Sequence, residues 1–507
     1  MSQTRASSTP IARAAGAALA AALVLAACST PVAKPSVQVP QQFAAKATDT
    51  AGSTEAPSGA LGAAAAARSS GPQSEAAWWE RYGDPVLTDL IQRAERENRD
   101  VKIAAERLRA ARAETTISRS WLFPSIDAVG GGINQQTTYG APIQQKLPDV
   151  KAAVGGADVS WEIDLSGRLR AGASAAHSDA LAAEDAMRGV RLLVLTDVAS
   201  NYFTLVGALH QLDTVRAIAK AHDETLHLVQ SRQRVGLATP FDVERAQAAA
   251  SAAHAAIPPL ETLAAVSRHR IAVLVGDQAT NAASITPWNG ELVVPVTQPG
   301  QPAQLLERRP DLLAAKAQLD AANARRRQAK AEYFPRLFAT ALFGRGTADL
   351  AGQAIGPARY TNAAALLAMP LFNAGRTRAL NDIAGSAQNE AVLHYEDAIV
   401  RALEDVENAL TTLRDEHDRQ QSLQSAAASG DAAYGRAQSL YSRGQIDLLP
   451  LLDAQRTRLS VRVSANDSDT QMLLDSVQLY KALGGGWQVF EPTAGPAAAR
   501  ATESPKS

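Results

Sequence analysis

Gly167-Arg168-Leu169-Arg170-Ala171 and Gly375-Arg376-Thr377-Arg378-Ala379 are nearly the same phrase, 208 residues apart (375 minus 167). The same offset carries Asp197-Val198 to Asp405-Val406, Thr204-Leu205 to Thr412-Leu413, Gly236 to Gly444, and Ala246-Gln247 to Ala454-Gln455. Upstream, Phe123-Pro124 matches Phe334-Pro335. There Asp100, Ala104, Leu108 and Ala111 match Asp311, Ala315, Leu319 and Ala322 at an offset of 211 (311 minus 100). A fixed offset over so long a stretch marks a duplicated unit, so the fold is one architecture built from two halves.

Each half opens with a helical segment that stops at an aromatic-Pro pair, Asp100 to Ser120 and Pro310 to Glu332. Pro310 suits a first helical turn, where its missing N–H costs nothing. Next comes a stretch without helical period, Gly-rich in the first half. It gives way to strict alternation: Val159, Trp161, Ile163 and Leu165 are apolar, while Asp158, Ser160, Glu162 and Asp164 are polar. A period of two puts these sets on opposite faces of a strand. The second half keeps Leu367, Met369 and Leu371 but inserts Leu366 and Pro370, so its pattern is weaker. Two strands per half are expected, near 124–134 and 153–165, then 335–346 and 360–372.

Long proline-free runs follow, Gly167 to Thr239 and Leu371 to Leu449, rich in Ala, Leu, Arg, Glu and Gln. These residues favour helix. Leu192, Leu195, Ala199, Tyr202, Val206 and Leu209 step by three and four, as Val400, Leu403, Val406, Leu410 and Leu413 nearly do. That is a heptad-like stripe, better explained by helix packing than by a membrane span, given Asp197 and Asn201 within it. About 65 helical residues would reach roughly 100 Å. Both runs end at glycines, Gly236 and Gly444, the residue type that terminates a helix in the left-handed conformation. Each then returns as a second helix, with a break expected at Pro258-Pro259. The halves are therefore 76–300, with its helical hairpin at 167–275, and 301–489, with its hairpin at 375–483.

Residues 1–27 read as a targeting segment: Arg5 and Arg13, then an apolar run ending in Leu25-Ala26-Ala27-Cys28. The tetrapeptide resembles the bacterial lipobox, in which the cysteine becomes the first residue and carries S-diacylglycerol and N-acyl lipid. Such chains contribute roughly 0.8 kcal/mol per buried CH2. Cys28 is the sole cysteine, which excludes an internal disulfide and a thiolate metal cage. Ser29 in place of Asp favours the outer membrane. Residues 28–75 have a tether composition, and residues 490–507 that of a disordered tail. Removing Arg5 and Arg13 leaves 48 basic residues (50 minus 2) against 51 acidic ones, a balance that points to no nucleic-acid partner.

Four strands cannot close a barrel, since single-chain outer-membrane barrels begin at about eight. Open edges in lipid would cost several kcal/mol per unpaired group. Strands in a membrane would therefore have to be pooled among several chains.

The chain resembles the TolC-type outer-membrane channel proteins, in their lipidated efflux branch (OprM- and NodT-like), over roughly residues 75–490. The resemblance rests on Trp78-Trp79 with Asp84-Pro85, Asn98 to Ala111, Arg308-Arg309-Pro310-Asp311-Leu312, Pro370 to Arg376, the two glycine turns, and Leu452-Asp453-Ala454-Gln455-Arg456. It implies a mainly helical fold with a membrane β-barrel portion: a homotrimer whose twelve strands form one barrel over a helical periplasmic tunnel. It implies a passive exit duct for small toxic compounds, partnered by a periplasmic adaptor and an inner-membrane pump of the RND type. Protein secretion is the alternative cargo, and a lipid-anchored coiled-coil scaffold the rival class. The resemblance places Asp242, Tyr441 and Asp453 at the periplasmic gate, where three copies of Asp453 would repel one another and attract cations. Pro450 and Ile446 stand where the family has an acid and an arginine. Asp242 is equally suited to cap the helix that begins at Pro240. Val235, Gly236, Leu237 and Ala238, with Gly444, Gln445 and Ile446, become adaptor-docking turns.

Motifs of catalysis are missing from the sequence. There is no phosphate loop and no nucleophile elbow, and no two of the eight histidines have the i, i+4 spacing of a zinc helix. Surface positions are expected for the histidines, and no cofactor beyond the lipid on Cys28 is expected.

Overall fold

A computed structural model of the protein describes residues 32–44, 77–136, 150–290, 294–295, 300–350 and 352–491. Cys28 and most of the 28–75 segment lie outside the described residues. The chain divides into two compact units, each taking segments from both sequence halves.

The first unit (residues 110–181 and 315–396, with the chain before Val37) holds a four-stranded antiparallel sheet. Its strands are β1 (Ser125–Gln135), β2 (Val150–Ile163), β3 (Arg336–Leu350) and β4 (Gln353–Ala368), in the order β1-β2-β3-β4. The halves meet at β2 and β3, paired from Ile163↔Leu337 to Val150↔Leu350. β1 and β4 are left as bare edges. Leu165 falls in a turn outside β2, and its N–H bonds the Ile163 carbonyl. β4 stops at Ala368, so Met369 and Leu371 lie beyond it; Pro370, with no N–H, cannot extend a ladder.

Eight helices of two turns or more accompany the sheet among the described residues: α1 (Pro85–Glu97), α2 (Arg99–Ser120), α3 (Arg168–Arg234), α4 (Pro240–Ala255), α5 (Ile257–Leu274), α6 (Pro310–Ala331), α7 (Arg376–Ser442) and α8 (Leu448–Leu483). The duplication survives folding. α3 and α7 each have 67 residues and start 208 apart, while α2 and α6 each have 22 and start 211 apart. Gly167 (φ 77°) and Gly375 (φ 85°) supply the left-handed residue that each long helix needs before its first turn. α4 ends at Ala255, and a single residue, Ala256, separates it from α5, which begins at Ile257. The break falls there because Pro258 and Pro259 fit only a first turn.

The second unit (residues 37–109, 182–314 and 397–507) holds the main core. Leu195, Val198, Ala199, Tyr202, Phe203 and Leu205 of α3 are fully buried. That burial explains an apolar run long enough by composition to cross a membrane. On α7 Val406 and Leu410 are buried as expected, but upstream the stripe runs through Ile399 and Ala402, one position before the expected Val400 and Leu403, and Val400 faces solvent. Trp78 stacks on Tyr480 with centroids 5.1 Å apart, and Trp79 on Phe490 at 5.8 Å. Phe490 and Glu491 therefore belong to the fold rather than to a tail; Glu491 pairs with Arg188 at 2.9 Å. The buried Asp84 carboxylate caps α1 through the Val86 and Leu87 N–H groups and accepts the Tyr202 hydroxyl at 2.5 Å.

The two halves are tied off by equivalent knots. Asn98 Nδ2 donates to the Leu274 carbonyl at 2.8 Å, and Arg309, at the corresponding position, donates through Nη1 to the Ala482 carbonyl at 3.0 Å. Beyond each carbonyl the chain turns on a left-handed glycine. A Cβ on Gly276 would meet the Glu97 carbonyl oxygen at 2.7 Å, and one on Gly484 would meet Arg309 Cα at 3.0 Å. Arg309 also pairs with Asp311 and Asp405 at 2.7 and 2.9 Å. Gly276→Ala and Gly484→Ala are each expected to cost more than about 1 kcal/mol in denaturant unfolding, because both the φ and the close approach exclude a side chain. Gly435→Ala, in open space on α7, is expected instead to stabilise by roughly 0.5–1 kcal/mol.

Candidate functional site

Two places carry the geometry that bears on function: the wall made by the sheet and the turns that close the helical hairpins.

In the wall, residues paired across antiparallel strands share a face. One face gathers Ile126, Val159, Trp161, Ile163, Leu337, Ala339, Ala341, Phe343, Ala363, Ala365 and Leu367. The other gathers Ser125, Asp127, Asp158, Ser160, Glu162, Arg336, Thr340 and Asn362, with Phe338, Leu342 and Leu366 among them. The exposures differ between the faces. In β3, Phe343, Arg345 and Thr347 are exposed while Leu342, Gly344 and Gly346 are half-covered; in β2, Lys151, Ala153 and Trp161 stand out beside half-covered Val150, Ala152, Ser160 and Glu162. The contrast is lost nearer Ile163 and Arg336, where Thr340 is exposed and Val159, Ile163, Leu337, Ala339 and Ala341 are half-covered; the second face is the inner one because it lines most of the strand wall of a cavity in this unit. That cavity has a volume of about 1,100 Å³. Of the seven strand residues that line it, five (Ser125, Ser160, Glu162, Phe338 and Thr340) belong to the inner face, and Trp161 and Ala339 are the other two. At its rim Arg168 forks onto Glu162 at 2.7 Å and reaches Glu332 at 3.8 Å.

The division holds only partway along the strands. Glycines cluster at Gly130–Gly132, Gly155–Gly156, Gly344 and Gly346, and the polarity of the faces exchanges there. Past that girdle Asn134, Lys151, Arg345, Thr347, Asp349 and Arg359 point outward, while Val129, Ile133, Val150, Val154 and Leu350 turn inward.

At the turns, both long helices end in the same hydrogen-bonded cap. The Leu237 N–H reaches the Arg232 carbonyl and the Gly236 N–H the Gln233 carbonyl; Gln445 and Gly444 repeat this onto Leu440 and Tyr441. Gly236 (φ 75°) and Gly444 (φ 71°) make the cap possible. Val235 and Leu237 project at 69% and 76% exposure, with Phe241 at 63%. Ala238 and Ile446 instead pack on a small core of Val229, Ala246, Tyr434, Tyr441, Leu448 and Leu451. The seven turn residues thus divide into the outward apolar pair, the inward Ala238 and Ile446, the two glycines that shape the caps, and Gln445, which is exposed.

The three gate candidates fall in different settings. Asp242 forms a capping box with Thr239, accepting its N–H at 2.9 Å and returning its own N–H to the hydroxyl. The Thr239 N–H holds its carboxyl below the ordinary range. Asp453 is exposed on α8 and pairs with Arg456 at 2.7 Å. Tyr441 is buried, and its ring lies under the Arg232 guanidinium at 4.2 Å. Arg232 also donates to the carbonyls of Tyr441 and Ser442, at 2.6 and 3.2 Å. It thereby clamps the end of α3 to the end of α7. The sequence offered only a cation in a last helical turn, a position favoured by the helix dipole; its partner on the other helix was not readable. Asp242 and Tyr441 do not bond each other here.

The model of the outer membrane efflux protein family matches residues 90–277 and 302–485, one span per repeat. The chain belongs to that family. It is 31% identical over 426 residues to the toluene efflux pump outer membrane protein TtgI of Pseudomonas putida, covering 81% of this chain and 88% of the relative. It is 27% identical over 411 residues to SilC of Salmonella typhimurium, named a probable outer membrane lipoprotein, over 81% and 88%. The solved outer-membrane channel OprN superposes with a TM-score of 0.76 at 27% identity, covering 90% of this chain and all of that one. The protein is an outer-membrane component of an efflux system, with a mainly helical fold and a small sheet. The described residues hold no cluster of potential metal ligands.

One histidine departs from the expected surface setting. His222 is buried in α3, and burial holds its imidazole below the ordinary value of 6.5, against the weak opposing field of Asp223. A depressed imidazole stabilises the fold above the unfolded-state value, and that stability is lost as the pH falls through the folded-state value. The thermal midpoint is expected to drop between about pH 7.5 and pH 5.5, and His222→Leu should flatten that part of the profile. An unchanged slope in the variant would assign the acid sensitivity elsewhere.

Proposed function

We propose that three copies of this chain join edge to edge, β4 of one to β1 of the next, and form a passive outer-membrane exit duct for small toxic compounds. The observation that carries this reading is the open sheet: it has two bare edges and an apolar face opposite the one that lines the cavity, in a chain of the efflux family. An edge strand exposed to lipid leaves N–H and C=O groups unpaired at several kcal/mol each, so only closure with further copies suits it to a bilayer. The lipid on Cys28 adds an anchor in one leaflet. The described part of the tether lies along α7: the Ser36 N–H and hydroxyl bond Glu396 at 2.6 and 2.8 Å, and the Ala44 N–H bonds Glu407 at 2.6 Å.

The helical turns supply the other contacts. Val235 and Leu237 present an apolar tip on which a periplasmic adaptor docks, and the adaptor links the duct to an inner-membrane pump that provides the energy. Asp453 repeats three times around the axis and repels its copies, while the Arg232 clamp on Tyr441 holds each chain's two helix ends together at the closed tip. Single-channel conductance in planar bilayers tests the duct, with a deletion strain challenged by a panel of toxic compounds and adaptor co-purification as companions. A scaffold would conduct nothing.

Two variants separate the parts of the gate. Asp453→Ala is expected to raise conductance and remove block by divalent cations. Arg232→Lys, which keeps the charge but loses the flat guanidinium and its fork, is expected to raise open probability while leaving cation block intact. Unchanged conductance and block in Asp453→Ala would take that residue out of the gate.

A further inference from the structure

Above the apolar band of the outer face, β3 and β4 place Arg345 directly opposite Arg359. Like charges facing each other across a ladder are destabilising. Both side chains are exposed, and neither has an ion pair or hydrogen bond with any described residue. The same row continues through Gly155 and Gly130. A Cβ on Gly155 would meet nothing within 4 Å, and one on Gly130 only the Val154 carbonyl at 3.9 Å. Two guanidinium groups thus border a shelf without side chains. The row below is Ala128, Ala157, Phe343 and Thr361; those above hold Thr347, Lys151 and Asp349. The arginines therefore mark the level at which the outer wall passes from apolar to polar.

We infer that Arg345 and Arg359 together bind the phosphate groups of a phosphorylated glycolipid in the outer leaflet, with its acyl chains lying along Phe343 and the alanine rows below. The inference rests on the proposed barrel reading, which puts this face against lipid. Two parallel N–H donors of a guanidinium match phosphate oxygens, and such charge-assisted bonds are the strong ones. A shared dianion also relieves the repulsion between the two arginines. The missing side chains at Gly130 and Gly155 leave room for a sugar headgroup against the backbone.

The test uses the full trimer in phosphatidylcholine nanodiscs, with bisphosphorylated lipid A as probe and its dephosphorylated form as control. Native mass spectrometry counts bound lipid for the wild type, Arg345→Ala/Arg359→Ala and Arg345→Lys/Arg359→Lys. The alanine pair is expected to bind the bisphosphorylated probe roughly tenfold more weakly, the lysine pair to fall between, and the dephosphorylated lipid to bind all three alike. Conductance and ion selectivity should be unchanged, since outward residues do not line the conduit. Equal binding by all three proteins overturns the inference. So does altered ion selectivity in the alanine pair, which would place the arginines in the lumen. Inorganic phosphate alone displacing the lipid at equimolar concentration would overturn the lipid assignment. A wild type that never conducts would instead sink the barrel reading.

Discussion

An unpaired peptide group in hydrocarbon costs several kcal/mol, and a four-stranded antiparallel sheet has two full edges of them. Almost everything else in this chain is an arrangement that makes such a sheet useful. Because β2 and β3 come from different halves, the sheet exists only once the duplication has folded back on itself. Because each half delivers its strands between helices of matched length, the helical segments leave the sheet in equivalent pairs. The unpaired edges leave the single chain incomplete as a membrane wall, and the proposed trimer completes it with further copies.

The duplication also fixes how the second unit is held. Asn98 and Arg309 occupy one position of the repeat and do one job, capturing the carbonyl at the end of a returning helix. They do it with different chemistry. Asn98 is neutral and spends its oxygen on capping α2 through the Asp100 and Val101 N–H groups, at 2.8 and 3.3 Å. Arg309 has no acceptor to offer, so Pro310 removes one donor that would have needed capping, and Asp311 and Asp405 neutralise the buried charge. A substitution at one member of a repeat has been absorbed by its immediate neighbours. The knot kept its geometry while its electrostatics changed.

Much of this was legible in the sequence, and the exceptions share a cause. Helix ends were readable because glycine and proline set backbone conformation locally: Gly236, Gly444 and Pro310 act where they stand. The alternation in β2 was readable because one strand carries its own period. The start of β4 at Gln353 was not, since Ala363 to Ala365 look alike from either face and only pairing with β3 assigns them. On α7 the expected stripe holds at Val406 and Leu410 and shifts by one at its start, because Ile399-Val400 and Ala402-Leu403 offer two apolar lines and only the packing partner selects Ile399 and Ala402. Arg232 and His222 lay beyond reach altogether, because a guanidinium over a ring and a buried imidazole depend on a second helix for their meaning.

The exchange of faces at the glycine girdle follows from the same constraint that opened the problem. Lipid demands an apolar outside only over the thickness of the hydrocarbon; beyond it, the outward side chains are free to be charged. A strand with a uniform alternation would extend its greasy face past the bilayer and invite association with other edges. Here the outward series changes from Ala157 and Phe343 to Arg345, Lys151 and Asp349 within a few residues, and the apolar series moves inward as Val129, Val154 and Ile133. Glycines at the crossover remove side chains from the place where neither polarity is required, and the β3–β4 register shifts there, between Gly346 and Ala348. In the proposed barrel the girdle acts as a depth marker written into the sheet, and the chain itself sets the level at which the membrane ends.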